Sequence, residues 1–247
     1  MGVVRLIGAY VLLLLRTIKA TFKGPFPWRN FLEQMYNVGN RSLFLIVFVT
    51  AFLGLIGIYE TCRQMLKLIP QLSVVGMASI PVVIRELSPV LVALMVATRV
   101  GAGIAAEIGS MKVTDQLDAM ALSGTDPIAY LLVPRLLGTF VMTVVLVVLG
   151  ASVTILAGML MADLRFGVNP RTFFDLRMTR ISDVTVALIK GGAFGITIPI
   201  AAAHAGFEAT GGSEGVGWAT TRAVVNSSFM CIVLDFIISA VAYVITG

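Results

Sequence analysis

RELSPVLVALMVATRVGAGIAAEIGSMKVTDQLDAMALSGTDP, residues Arg85–Pro127, decides the fold. From Pro89 to Ala106 this stretch is apolar with a single charge, Arg99, and small residues recur every fourth position at Ala97, Gly101, Ala105 and Gly109. Residues four apart share a helix face, so the line lets a second helix approach backbone to backbone, the packing favoured inside a bilayer. At Ser110 the character changes. Thr114 to Leu122 reads as a short amphipathic helix, with Val113, Leu117, Met120 and Ala121 on one side and Asp115, Gln116 and Asp118 on the other. Thr114 is expected to cap its start, and Gly124 and Asp126-Pro127 to end it. A membrane helix that leads into a short capped helix is suited to docking something outside the bilayer.

Composition agrees with that reading. Of 247 residues, 58% are hydrophobic and only 13% charged, and the mean hydropathy is +0.97. That is too little charge to cover a soluble domain of this size, so the chain is read as an integral membrane protein with no soluble domain. The net charge of +5 is spread along the sequence without a clustered basic and aromatic face, which argues against a nucleic-acid partner. Cys62 and Cys231 lie far apart with no His or Cys nearby, and are expected as buried thiols rather than a disulfide or metal site.

Outward from the central stretch, Val3 to Phe22 is apolar but carries Arg5, Arg16 and Lys19, and its uninterrupted core, Leu6 to Leu15, falls well short of the roughly 20 residues a span needs. It is expected to lie along the membrane surface, followed by an elbow, Lys23 to Arg29, with Trp28 at headgroup level. Five spans are expected: Leu43–Tyr59; the central helix, reaching back to Met77; Leu136–Ala162; Val184–Ala205; and Ala223–Ile245. A polar segment, Asp163 to Asp183, precedes the fourth, and a glycine-rich loop, Gly206 to Thr221, precedes the fifth. The fold class is therefore all-α and membrane-embedded: one permease domain over 1–247, with 1–29 as interfacial helix and elbow and 41–247 as the transmembrane bundle. With the N-terminus inside, ten Lys and Arg fall on the inner side and eight on the outer, and the dense N-terminal cluster sets the choice. Gly247 is then outside, and the helix Thr114–Leu122 inside.

Look-alikes for other chemistry fail on context. Gly101-Ala-Gly103-Ile-Ala-Ala106 has the outline of a dinucleotide fingerprint but sits inside an apolar helix with no preceding strand. Gly211–Gly217 lacks the Lys-Ser/Thr that closes a phosphate loop, so no ATP site is expected in this chain. His204, the only histidine, has no carboxylate or serine at triad-like spacing and reads as a cap or packing residue. No catalytic residue, cofactor or metal is expected, and the chain is not read as an enzyme.

The residues that carry a resemblance are Glu86-Leu-Ser-Pro-Val90, Arg99-Val-Gly-Ala-Gly103, Ala106-Glu-Ile-Gly109, Met111-Lys-Val-Thr-Asp-Gln-Leu-Asp-Ala119 and Ala219-Thr-Thr-Arg-Ala-Val-Val225. Together they resemble the signature of the MlaE-type permeases, from about Arg41 to the end of the chain. One departure is Trp218, where that family commonly has a basic residue. The resemblance implies the membrane subunit of an ABC transporter that moves phospholipids between the inner and outer membranes of Gram-negative bacteria, maintaining outer-membrane lipid asymmetry. It implies a homodimer in the inner membrane, a cytoplasmic ATPase, a periplasmic MCE-domain protein and often a STAS-domain subunit. An ion-coupled secondary transporter, a scaffold without transport, and a permease for sterols or other lipids are the alternatives.

Charges inside spans cost a few kcal/mol each and normally face a cavity or a partner. Arg85, Glu86 and Lys190 fall at similar depth and are expected either to line a pocket for a phosphate headgroup or to form an internal ion-pair network. Arg99 and Asp235 are expected as structural charges, paired with each other or with backbone. Glu107, Lys112, Thr114, Asp115, Leu117 and Asp118 are expected to couple the chain to the ATPase, the apolar side of their helix fitting a groove on that partner; the alternative is that this side lies on the membrane surface as a passive loop anchor.

Overall fold

The computed structural model describes residues 3–22, 27–68 and 72–246, and the regular structure within them is helical. The elements are α1 (Val3–Thr21), α2 (Trp28–Leu68), α3 (Val75–Val113), α4 (Gln116–Leu122), α5 (Ile128–Phe166), α6 (Pro170–Phe173), α7 (Ile181–Phe207) and α8 (Gly212–Thr246). The five long helices α2, α3, α5, α7 and α8 are long and apolar enough to cross a membrane, as the sequence predicts. α1 is the expected N-terminal apolar helix. The expected elbow residues Lys23–Phe26, and Gly247, lie outside the described residues.

Helix ends differ from expectation in two places. α2 begins at Trp28 rather than Leu43, so Trp28 opens a helix instead of sitting in an elbow. The glycine-rich stretch before the fifth span is largely helical: only 208–211 separate α7 from α8, with left-handed backbone at Gly211 (φ 87°) and Gly212 (φ 71°). Gly215 is needed for packing rather than looseness, because a Cβ there would collide with the carbonyl oxygen of Thr210.

α3 is not uniformly α-helical. Its turns widen to the π form at Val83–Leu87 and Ala97–Gly101, and α5 starts with a third such turn, Ile128–Leu132. Wide turns of this kind are uncommon and gather at functional sites. Those in α3 hold Arg85, Glu86 and Arg99.

The chain divides into two compact units: the first combines the residues through Ser42 with Ala93–Thr143 and Gly192–Leu234, the second Leu43–Val92, Val144–Gly191 and the residues from Asp235 on. In the first, the small-residue line of α3 does what its spacing predicts. Ala97 and Ala105 are fully buried, a Cβ on Gly101 would lie 3.5 Å from Ile198 of α7, and one on Gly109 would lie 3.3 Å from Ala209.

In the second unit the core gathers Ile58, Cys62, Val75, Ile80, Ala162, Val168 and Phe173. Phe173 belongs to α6, inside the segment the sequence marks as polar; it is buried while its neighbour Phe174 is exposed. Asn169 caps α6 by accepting the Arg171 N–H at 2.9 Å. Cys62 and Cys231 are both buried, with no disulfide among the described residues. Gly76 is the tightest point, since a Cβ there would collide with the Phe173 carbonyl. Gly76→Ala is therefore expected to cost about 1–3 kcal/mol through forced displacement of α6. Gly57→Ala, at a helix position with nothing within 4 Å of the added carbon, is expected to be neutral or stabilising. Equal thermal midpoints for the two variants in detergent would refute this packing.

Candidate functional site

Three helices place ionisable groups together in the second unit. Lys190 of α7 is fully buried, and its ammonium lies 2.6 Å from Glu86 Oε2, 2.8 Å from Asp235 Oδ1 and 3.0 Å from the Arg85 carbonyl oxygen. The contacts to Glu86 and to the Arg85 carbonyl are hydrogen bonds, and that to Asp235 is an ion pair. Ser239, one turn beyond Asp235 on α8, donates to Glu86 at 3.0 Å. Arg85 lies 3.5 Å from Glu86 and 3.4 Å from Asp183, and the other Asp183 oxygen accepts the Arg180 N–H at 2.9 Å. An ammonium this deep is tolerable only when paired and hydrogen-bonded, which is what α3 and α8 supply.

Arg85 and Glu86 also line a cavity of about 470 Å³ together with Pro81, Val82, Met178, Arg180, Ser182, Asp183 and Tyr243. Val82 in turn borders a second cavity of about 300 Å³, walled mainly by Leu53, Gly54, Gly57, Ile58, Ala78, Val83 and Leu87. A charged chamber thus adjoins an apolar one. Of the three residues expected here from sequence, the structure brings all three together, with Arg85 and Glu86 at the cavity wall and Lys190 enclosed behind them. Of the two pairings expected for Arg99 and Asp235, the mutual one is corrected, because Asp235 pairs with Lys190, whereas Arg99 takes the backbone one. Arg99 donates instead to Ser42 Oγ at 2.6 Å and to the Asn37 carbonyl at 3.3 Å.

Sequence reasoning missed Asp183, Arg180, Ser239 and Tyr243. For α8 there was a signal: Asp235, Ser239 and Tyr243 recur at four-residue spacing, a polar line on an apolar helix. Asp183 and Arg180 sit where the sequence is polar anyway and carry no such mark.

In the first unit, α4 follows α3 after a two-residue link. Asp115, the residue before the helix, adopts the left-handed conformation (φ 58°) and makes no side-chain cap. Thr114 is not the expected cap either; its hydroxyl turns back to donate to the Ser110 carbonyl at 2.8 Å. The other end is as predicted: Gly124 (φ 81°) closes α4, its N–H reaching the Ala121 carbonyl at 3.0 Å and the Thr125 N–H the Met120 carbonyl at 3.0 Å. Lys112 pairs with Asp118 across the link at 3.5 Å, and Glu107 pairs with the buried Arg135 of α5 at 2.6 Å.

The orientation of α4 departs from what a partner-facing apolar side requires. Leu117 is buried and lines a cavity of about 540 Å³ bordered by Leu12, Leu13 and Arg16 of α1 and by His204, Phe207 and Glu208 at the end of α7. The helix's apolar side therefore faces the chain itself. Leu122, by contrast, is 90% exposed. α1 is held nearby: Tyr10 packs edge-on against His204 at 5.0 Å and accepts a hydrogen bond from Asn226 at 3.1 Å. Burial pushes the Tyr10 phenol above its usual pKa, an effect the Asn226 hydrogen bond partly offsets. His204 lies 3.7 Å from Glu208, which fits the packing role expected for it.

Comparison with known proteins agrees with the geometry. The family described as Permease MlaE matches residues 31–241. A probable ABC transporter permease protein of Synechocystis sp. is 36% identical over 221 residues, covering 89% of this chain and 84% of that protein. A probable ABC transporter permease protein of Rickettsia bellii is 32% identical over 94% of this chain and 90% of its own length. The chloroplastic protein TRIGALACTOSYLDIACYLGLYCEROL 1 of Arabidopsis thaliana is 33% identical over 88% of this chain and 63% of its own.

Proposed function

Since the chain belongs to the MlaE permease family, we propose that it is the membrane subunit of an ABC transporter that carries phospholipids between the inner and outer membranes and so maintains outer-membrane lipid asymmetry. It works as a homodimer in the inner membrane, with a cytoplasmic ATPase, a periplasmic MCE-domain protein and often a STAS-domain subunit. The observation that carries the substrate class is the charged chamber at Arg85 and Glu86 next to the apolar chamber behind Val82. A molecule with an ionic head and hydrocarbon tails matches both. The relative named for a diacylglycerol lipid supports a glycerolipid over a sterol.

In this reading Arg85 and Arg180 meet the headgroup phosphate, while Glu86 and Lys190 hold the wall of the chamber in place. Glu107, Lys112, Thr114, Asp115, Leu117 and Asp118 form and seat the coupling element, which receives the motion of the ATPase. The test is transfer of labelled phospholipid from proteoliposomes that contain the chain and its ATPase. ATP is expected to drive transfer with no proton gradient, and Arg85→Ala to slow it about tenfold, the loss of one charge-assisted contact. Transfer driven by a proton gradient without ATP would overturn the ABC reading in favour of ion coupling.

A further inference from the structure

A second cavity lined by cations lies in the first unit. One face of α2, at Gln34, Asn37, Val38 and Arg41, and one face of α3, at Arg99, Gly103 and Glu107, enclose about 180 Å³. The positions recur three, four and seven apart on α2 and four apart on α3, so each helix gives the slot a single face. Its charge is unbalanced. The only carboxylate in the lining, Glu107, is engaged 2.6 Å away by a third arginine, Arg135. Among the described residues Arg99 donates to neutral acceptors, Ser42 and the Asn37 carbonyl. Arg41 has no ion-pair partner among the described residues and lines the same slot as Arg99. Two guanidiniums that line one slot between membrane-crossing helices without a carboxylate of their own among the described residues call for an anion.

Gly103 gives independent support. Glycine in a helix interior is disfavoured by about 0.5–1 kcal/mol relative to alanine, and usually marks a close backbone approach. Here nothing approaches: a Cβ at Gly103 would meet no atom within 4 Å. What the glycine provides is space on the wall of the slot, opposite the face that carries Arg41.

We infer that the slot formed by Arg41, Arg99 and Gly103 is a binding site for a phosphate group, supplied by the headgroup of a phospholipid in the surrounding leaflet. The volume suits a headgroup and not acyl chains, which stay in the bilayer. The site shares no residue with the chamber at Arg85, and it stands whether or not that chamber carries transported lipid.

The test uses the purified full chain in detergent, with Arg85→Ala introduced to silence the other chamber. Binding of dioleoyl phosphatidylglycerol is followed by native mass spectrometry. The Arg85→Ala chain is expected to retain one lipid. Arg41→Gln, at an exposed position, and Gly103→Leu, which fills the open space beside that residue without changing a charge, are each expected to weaken that lipid about tenfold. Dioleoylglycerol, which has the same chains and no phosphate, is not expected to bind. Displacement of the lipid by inorganic phosphate would assign the recognition to the phosphate group alone; resistance to displacement would assign it to the lipid as a whole. Both results retain the arginine slot. Undiminished binding by both variants, or equal binding of dioleoylglycerol, would overturn it.

Discussion

Lys190→Ala is expected to be the most damaging single substitution in the chain. The ammonium it removes is fully buried and has three oxygens within 3.0 Å, those of Glu86, Asp235 and the Arg85 carbonyl. Its loss leaves Glu86 and Asp235 facing each other with no cation between them, and breaking a buried pair in this way costs about 3–5 kcal/mol. For a chain of this length that corresponds to a fall of roughly 10 °C in the thermal midpoint, read by fluorescence in detergent. Neutralising the partners separates charge from packing: Lys190→Met combined with Glu86→Gln and Asp235→Asn is expected to recover most of the midpoint. A single variant that melts with the parent protein would show that the cluster carries no stability.

Leu122→Asp is expected to abolish retention of the ATPase, a loss of about 2 kcal/mol or more, or about thirtyfold in affinity. Leu122 is 90% exposed at the end of a helix whose other leucine faces inward, so the change leaves folding untouched. Leu117→Asp must act differently. It places a carboxylate among Leu12, Leu13 and Phe207, so it is expected to lower the thermal midpoint first and to lose the partner only as a consequence. Pull-down of the ATPase and melting of both variants distinguish the two routes. Full retention with Leu122→Asp would move the docking surface from α4 to the Gly206–Arg222 region.

The five crossing helices were legible because each holds an apolar run long enough for the hydrocarbon layer, and few other folds require such runs. Their ends were not. Trp28–Ser42 and Gly212–Arg222 are helical because they pack, as where a Cβ added to Gly138 of α5 would lie 3.0 Å from Gln34 Cβ. A hydropathy window registers only the portion that lipid surrounds. At the candidate site, Arg85, Glu86 and Lys190 stood out as charges in apolar surroundings, whereas Asp183 did not, because its own surroundings are polar. The amphipathic pattern of α4 showed which side was apolar. It did not show whether the chain's own α1 or another protein covers that side, since both satisfy the same periodicity.

The wide turns in α3 have a consequence for how this gene tolerates change in length. Each holds one residue more than an α-helix would use to cover the same rise. Deleting a single codon within Val83–Leu87 would let the helix close to ordinary α geometry with every hydrogen bond intact and no loop altered. The segments on either side would keep their bearing, because the wide turn completes the same rotation with one residue more; the same deletion in an ordinary α turn would rotate one side by about 100° relative to the other. Gly76 would still meet the Phe173 carbonyl, and only the turn that carries Arg85 and Glu86 would be remade. A helix that looks uniform in sequence therefore has two points at which a missing residue leaves its angular order intact, and elsewhere along its length it has no such slack.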